Sequence, residues 1–131
     1  MAEKTSNWDD VRRVADTLNL LSDFCRLEAD RWYREPLTGA LLQLNHGERF
    51  MLMVSEIAEA MEGHRKNLMD DKLPHRKMVE VELADALIRI FDYAGDNNLD
   101  LGGALIEKLE YNRTRADHTH EAWLGPNGKK F

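Results

Sequence analysis

Two stretches of the chain each carry a pair of acids three residues apart. Glu56 and Glu59 lie in Ser55-Glu56-Ile57-Ala58-Glu59-Ala60, and Glu82 and Asp85 in Val81-Glu82-Leu83-Ala84-Asp85-Ala86. On a helix, spacing i, i+3 sets two side chains about 60° apart around the axis and about 4.5 Å along it. Ile57 and Ala60 flank one pair and Leu83 and Ala86 the other, which places the acids at the margin of a core. Two antiparallel helices would bring all four carboxylates together. Crowded carboxylates in a low dielectric resist ionisation, and a hard divalent cation removes that conflict. Oxygen donors without paired His or Cys suit Mg²⁺, with Mn²⁺ as a substitute, better than Zn²⁺. Mg²⁺ held this way is a common protein partner of substrate phosphates. The competing readings are two solvated helix faces, or a redox-metal carboxylate bundle. The latter calls for Glu-x-x-His, and no Glu here has a His three residues on.

A second constellation is cationic. Lys108, Asn112 and Arg115 fall at i, i+4 and i+7, one face of a helix, suited to phosphate oxygens or simply to water. Lys129 and Lys130 near the C-terminus are similar candidates. Trp32, beside Tyr33, either stacks on a nucleobase or closes a bundle or dimer interface. Arg65 and Lys66 either touch phosphate or complement a helix C-terminus. Asp92 follows Asp85 by seven residues and is either an outer group of the acidic site or a surface acid. Asp70 and Asp71 are expected to solvate a loop. His64, His75, His118 and His120 do not have structural zinc spacing, and Cys25 reads as a small core residue.

Helices must position these groups. Only Pro36, Pro74 and Pro126 interrupt the chain, and long stretches rich in Leu, Ala, Glu, Lys, Arg and Met favour helix. The first is expected over about 8–33, started by Ser6 or Asn7, with Val11, Val14, Leu18, Leu21 and Cys25 inward and Leu20, Phe24 and Leu27 widening that face. The second spans about 47–66, on a stripe of Phe50, Met53, Ile57, Ala60 and Met61. The third, about 76–96, has the widest apolar face, including Val79, Leu83, Ala86, Leu87, Ile90, Phe91 and Ala94. Asp100 can cap a fourth, reaching about 115. Residues 116–131, with Gly125, Pro126 and Gly128, read as an irregular tail. The expectation is a single all-α domain over 1–131, a four-helix bundle.

The 131 residues carry a formal net charge of −6, which argues against a nucleic-acid binder that needs a basic face. The apolar run Phe50–Val54 is far short of the ~20 residues that span a bilayer. The acidic N-terminus lacks the apolar segment of a secretory signal, and one cysteine suits a reducing compartment; the expectation is a cytoplasmic protein.

Glu-x-x-Glu, 22 intervening residues, then Glu-x-x-Asp resembles the signature of the MazG-like, all-α nucleoside triphosphate pyrophosphohydrolases, relatives of the dimeric all-α dUTPases. The likeness extends to Met61-Glu62-Gly63-His64-Arg65-Lys66, to 81–93, to Lys108-Leu109-Glu110-Tyr111-Asn112-Arg113-Thr114-Arg115 and to Gly128-Lys129-Lys130-Phe131, so it runs from about Phe50 to the end. Residues 1–45 match only as a helix ending in an aromatic. Where the family often has Glu-Glu-x-x-Glu, this chain has Ser55 at the first Glu. The resemblance implies that Glu56, Glu59, Glu82 and Asp85 hold Mg²⁺, with Glu56 or Glu59 orienting a water. It implies cleavage of (deoxy)nucleoside triphosphates to monophosphate and pyrophosphate. Lys108, Asn112, Arg115, Lys129, Lys130 and Trp32 would contact substrate, in a homodimer or homotetramer. The competing class is a helical module that binds nucleotide or a partner without turnover.

Overall fold

A computed structural model describes residues 7–115, 117 and 119–128. They form α1 (Trp8–Glu28), a 3₁₀ turn (Asp30–Tyr33), α2 (His46–Arg65), α3 (Met78–Asp96), α4 (Leu101–Thr114) and α5 (His120–Leu124), with no strand among them. The fold is all-α. None of these helices is long and apolar enough to cross a membrane.

Local chemistry explains the boundaries. Asp9 and Asp10 occupy the first turn of α1, where the helix dipole favours acids. Side-chain oxygens of Asn45, Asp100 and Thr119 cap α2, α4 and α5, accepting from the amides of Glu48 (2.9 Å), Gly103 (2.9 Å) and Ala122 (3.1 Å). The first helix is shorter than its expected span to residue 33. It ends at Glu28, and the chain tightens into the 3₁₀ turn. There Asp30 is gripped by Arg26 (3.1 Å) and Arg34 (2.9 Å), while Tyr33 turns inward. The tail is also not wholly irregular, because the Thr119 cap starts the short α5.

Contacts divide the chain into two compact units, residues 19–99 and residues 1–18 with 100–131. In the first, α2 and α3 pair as an antiparallel hairpin. Arg49 bonds Asp96 (2.9 Å), Phe50 packs on Tyr93, Glu56 meets Arg89, and Gly63 abuts Met78, so partners run in opposite senses. The connecting loop is organised by Asp70, which is buried; its carboxylate accepts from the amides of Lys72 (3.0 Å) and Leu73 (2.7 Å). Asp70 is therefore a structural brace for the turn, not the solvating loop acid expected from sequence. The C-terminal half of α1 meets α3 through small groups. Ser22 and Cys25 are buried, and a Cβ on Gly95 would lie 2.4 Å from the Ser22 carbonyl oxygen. In the second unit, the Ala15 carbonyl packs against Gly102.

The buried apolar set is Cys25, Tyr33, Ala60, Ala86, Phe91 and Ala94. Ala60, Ala86, Phe91 and Ala94 were expected inward. Large residues expected beside them are exposed: Leu20, Leu21, Phe24 and Leu27 on α1, Ile57 and Met61 on α2, Leu83 and Leu87 on α3. Close backbone approach selects the small side chains for the interface and leaves much of each apolar face uncovered.

Candidate metal centre and adjoining cleft

The α2–α3 hairpin brings together carboxylate oxygens of Glu56, Glu59 and Glu82, all within 4.8 Å of one another. Glu56 is 8% exposed, Glu82 is half-buried and Glu59 is exposed. The pairing follows from hairpin geometry. Glu56 and Glu59 face α3 one turn apart, and Glu82 sits opposite them near the loop end. Asp85 stands outside this triple, although Glu56 and Glu59 both act on it electrostatically.

The electrostatics are those of crowded acids. The Glu82 carboxyl is pushed up to about 7, first by burial, then by hydrogen bonds with Glu59 and Glu56 and by the charges of Glu59 and Asp85. Asp85 is raised by burial and by Glu56, while Arg89 pulls it down. Without a cation the cluster retains a proton close to neutrality. A convergent, oxygen-only donor set with a high-pKa member fits a hard divalent ion.

Arg89 is part of this cluster, and sequence reading passed it over. Its Nε donates to Glu56 Oε1 at 2.7 Å. The available signal was its position four residues after Asp85 and seven after Glu82, on the acids' face of α3.

A cleft of about 320 Å³ adjoins the cluster. It is lined by Glu56 of α2, by Asp85, Ile88, Arg89 and Asp92 along one face of α3, and by Trp32. Trp32 is 68% exposed, so it lines the cleft and does not close the core of this unit. Behind it is a second polar network. Tyr33 Oη donates to Asp92 Oδ1 at 2.9 Å, and Arg49 reaches the Tyr33 hydroxyl, Asp92 (3.5 Å) and Asp96 (2.9 Å). Arg26 lies 3.7 Å above the Tyr33 ring and bonds Asp96 at 3.1 Å. Burial raises Asp92 and, with the Asp92 hydrogen bond, pushes the Tyr33 phenol far up. Asp92 is thus a partly buried brace at the cleft, not a free surface acid.

Other candidates fall elsewhere. Ser55 donates to the Leu52 carbonyl at 2.7 Å, which satisfies its hydroxyl within α2. Arg65 and Lys66 pair with Glu62. Cys25 is buried, and burial followed by the charges of Asp92 and Glu28 raises its thiol, as expected of an inert core residue.

Lys108, Asn112 and Arg115 belong to the unit that does not contain the acids. Lys108 and Asn112 share α4, but Arg115 lies past its end with extended backbone, so the expected three-residue face is reduced to two. Lys108 sits 4.8 Å over the Tyr111 ring, and Arg115 Nε bonds Asp117 Oδ1 at 2.8 Å. Asn112 Oδ1 is buried without a hydrogen-bond partner among the described residues. Lys129, Lys130 and His118 lie outside the described residues.

No family model, curated protein or solved structure matches this chain.

Proposed function

We propose that the protein is a Mg²⁺-dependent pyrophosphohydrolase of (deoxy)nucleoside triphosphates, built on a MazG-like bundle. The observation that carries this reading is the convergence of Glu56, Glu59 and Glu82, with Glu56 also lining the cleft of about 320 Å³ that Trp32 borders. Glu56, Glu59 and Glu82 hold the cation, with Asp85 beside them. When bound, the cation neutralises triphosphate charge and lowers the pKa of a coordinated water. Mn²⁺ serves in its place.

Glu56 is buried and engaged by Arg89, whereas Glu59 is exposed. Glu59 is therefore the better acceptor for the proton of the attacking water. Water adds to the α-phosphorus, the bond from that phosphorus to the α–β bridging oxygen breaks, and the products are a monophosphate and pyrophosphate. Trp32 offers a face for the base. The uncovered apolar faces of α1 and α3 support a homodimer or homotetramer, since exposed apolar patches of this kind mark association surfaces.

Arg89 on Glu56 favours one second reading, a helical module that binds nucleotide without turning it over. A panel of canonical NTPs and dNTPs, with Mg²⁺ and with EDTA, separates the two. Hydrolysis to monophosphate, abolished by EDTA, supports the enzyme. Saturable binding without turnover selects the module.

A further inference from the structure

Arg89 is the counter-ion of the buried acid in the cluster. Its Nε holds Glu56 Oε1 at 2.7 Å, and its two terminal nitrogens have no partner among the described residues. The Arg89 side chain is 41% exposed, against 11% for Glu56, so the guanidinium is the member of the pair that solvent and a ligand can reach. Arg89 also borders the cleft that Trp32 lines. A guanidinium with a free fork at the mouth of such a cleft suits phosphate oxygens, which it grips with two parallel N–H donors.

We propose that Arg89 has two positions: paired with Glu56 while the cluster holds no divalent cation, and moved onto a phosphate oxygen of the nucleotide once a cation takes Glu56. The exchange makes cation and triphosphate bind cooperatively. Each ligand supplies the partner that the other removes, so neither Glu56 nor Arg89 is left as an unpaired charge. Arg89 would thus contact substrate phosphate and would also hold Glu56 in place before either ligand arrives. The inference rests on the reading of these acids as a cation site.

The test is Mn²⁺ titration of wild type and Arg89→Met without nucleotide. Removal of a competing positive charge should tighten Mn²⁺ binding about tenfold, because a unit charge a few ångströms away is only partly screened. A merely structural arginine would instead leave affinity unchanged or weaken it, and either result overturns the proposal. In the same variant KM for the hydrolysed nucleotide should rise more than kcat falls, with partial recovery in Arg89→Lys. Should Arg89→Met not fold, the Arg89 Nε–H resonance of wild type decides. It should move on adding Mg²⁺ and move again on adding inorganic tripolyphosphate; an unmoved resonance overturns the exchange. Wild type that binds no Mn²⁺ overturns both this proposal and the cation site beneath it. Failure in Arg89→Met alone leaves the cation site standing.

Discussion

Carboxylate spacing carries most of the chemistry at the scale of single residues. Glu56, Glu59 and Glu82 were legible from the i, i+3 pairs on two successive helices, whereas Asp85, expected beside them by the same spacing, stands outside the triple. Glu59→Gln should lower turnover by about 10²–10⁴-fold, the range for loss of a positioned general base, while the far-ultraviolet circular dichroism is kept. Retained turnover would move the base elsewhere. The raised Glu82 carboxyl makes stability depend on pH. Its value in the fold is about 7, against 4.5 for the free group, so between these the folded state binds more protons than the unfolded chain. Stability of the cation-free protein should therefore be highest at the acid end of this window and fall as pH rises through about 7. Thermal melts in EDTA from pH 5 to 8 should show that decline. Mg²⁺ should oppose it at the upper end by taking the proton's place, and Glu82→Gln should flatten it. Arg89 and the Tyr33–Asp92–Arg49 network were not legible from spacing alone. Both join residues 16 to 59 positions apart, and only the packed hairpin shows which arginine meets which acid.

At the scale of elements, Asp100 caps α4 as its position implied, and Asn97-Asn98 closes α3, with Asn98 in the left-handed region at φ 51°. Asn45 and Thr119 cap α2 and α5, a role that was not read from the connector and the tail that hold them. Two features departed from their expected form. Asp30 takes both Arg26 and Arg34, and this local bracket accompanies the tightening from α1 into a 3₁₀ turn that buries Tyr33. Asp70, read as a solvating acid, ties down the amides of the α2–α3 turn. The close approach of α1 to α3 also went unread, because a glycine in a helical stretch does not reveal what passes beside it. Gly95→Ala would force its Cβ against the Ser22 carbonyl oxygen, now 2.4 Å from that point. Urea unfolding should show a loss of about 3 kcal/mol, at the upper end of overpacking costs, because backbone must move. A neutral result would mean that α1 and α3 separate easily.

At the scale of the whole molecule, periodicity marked apolar faces on α1, α2 and α3, but most of the large residues expected inward on them are exposed, and spacing could not say what covers them. Leu20, Phe24 and Leu27 on α1 and Leu83 and Leu87 on α3 remain exposed around a core of small residues. A second copy of the chain is the proposed cover. Light scattering should give a dimer or tetramer for wild type, and Leu83→Glu should shift it toward monomer by placing charge in the apolar face. A monomeric wild type would contradict that assembly.

The central claim is attack by water on the α-phosphorus at the Glu56–Glu59–Glu82 cluster. Hydrolysis in ¹⁸O-labelled water with Mg²⁺, followed by mass analysis of both products, tests it most directly. The predicted result is one labelled oxygen in the nucleoside monophosphate and none in the pyrophosphate. Label in pyrophosphate, or diphosphate with labelled orthophosphate, would contradict it.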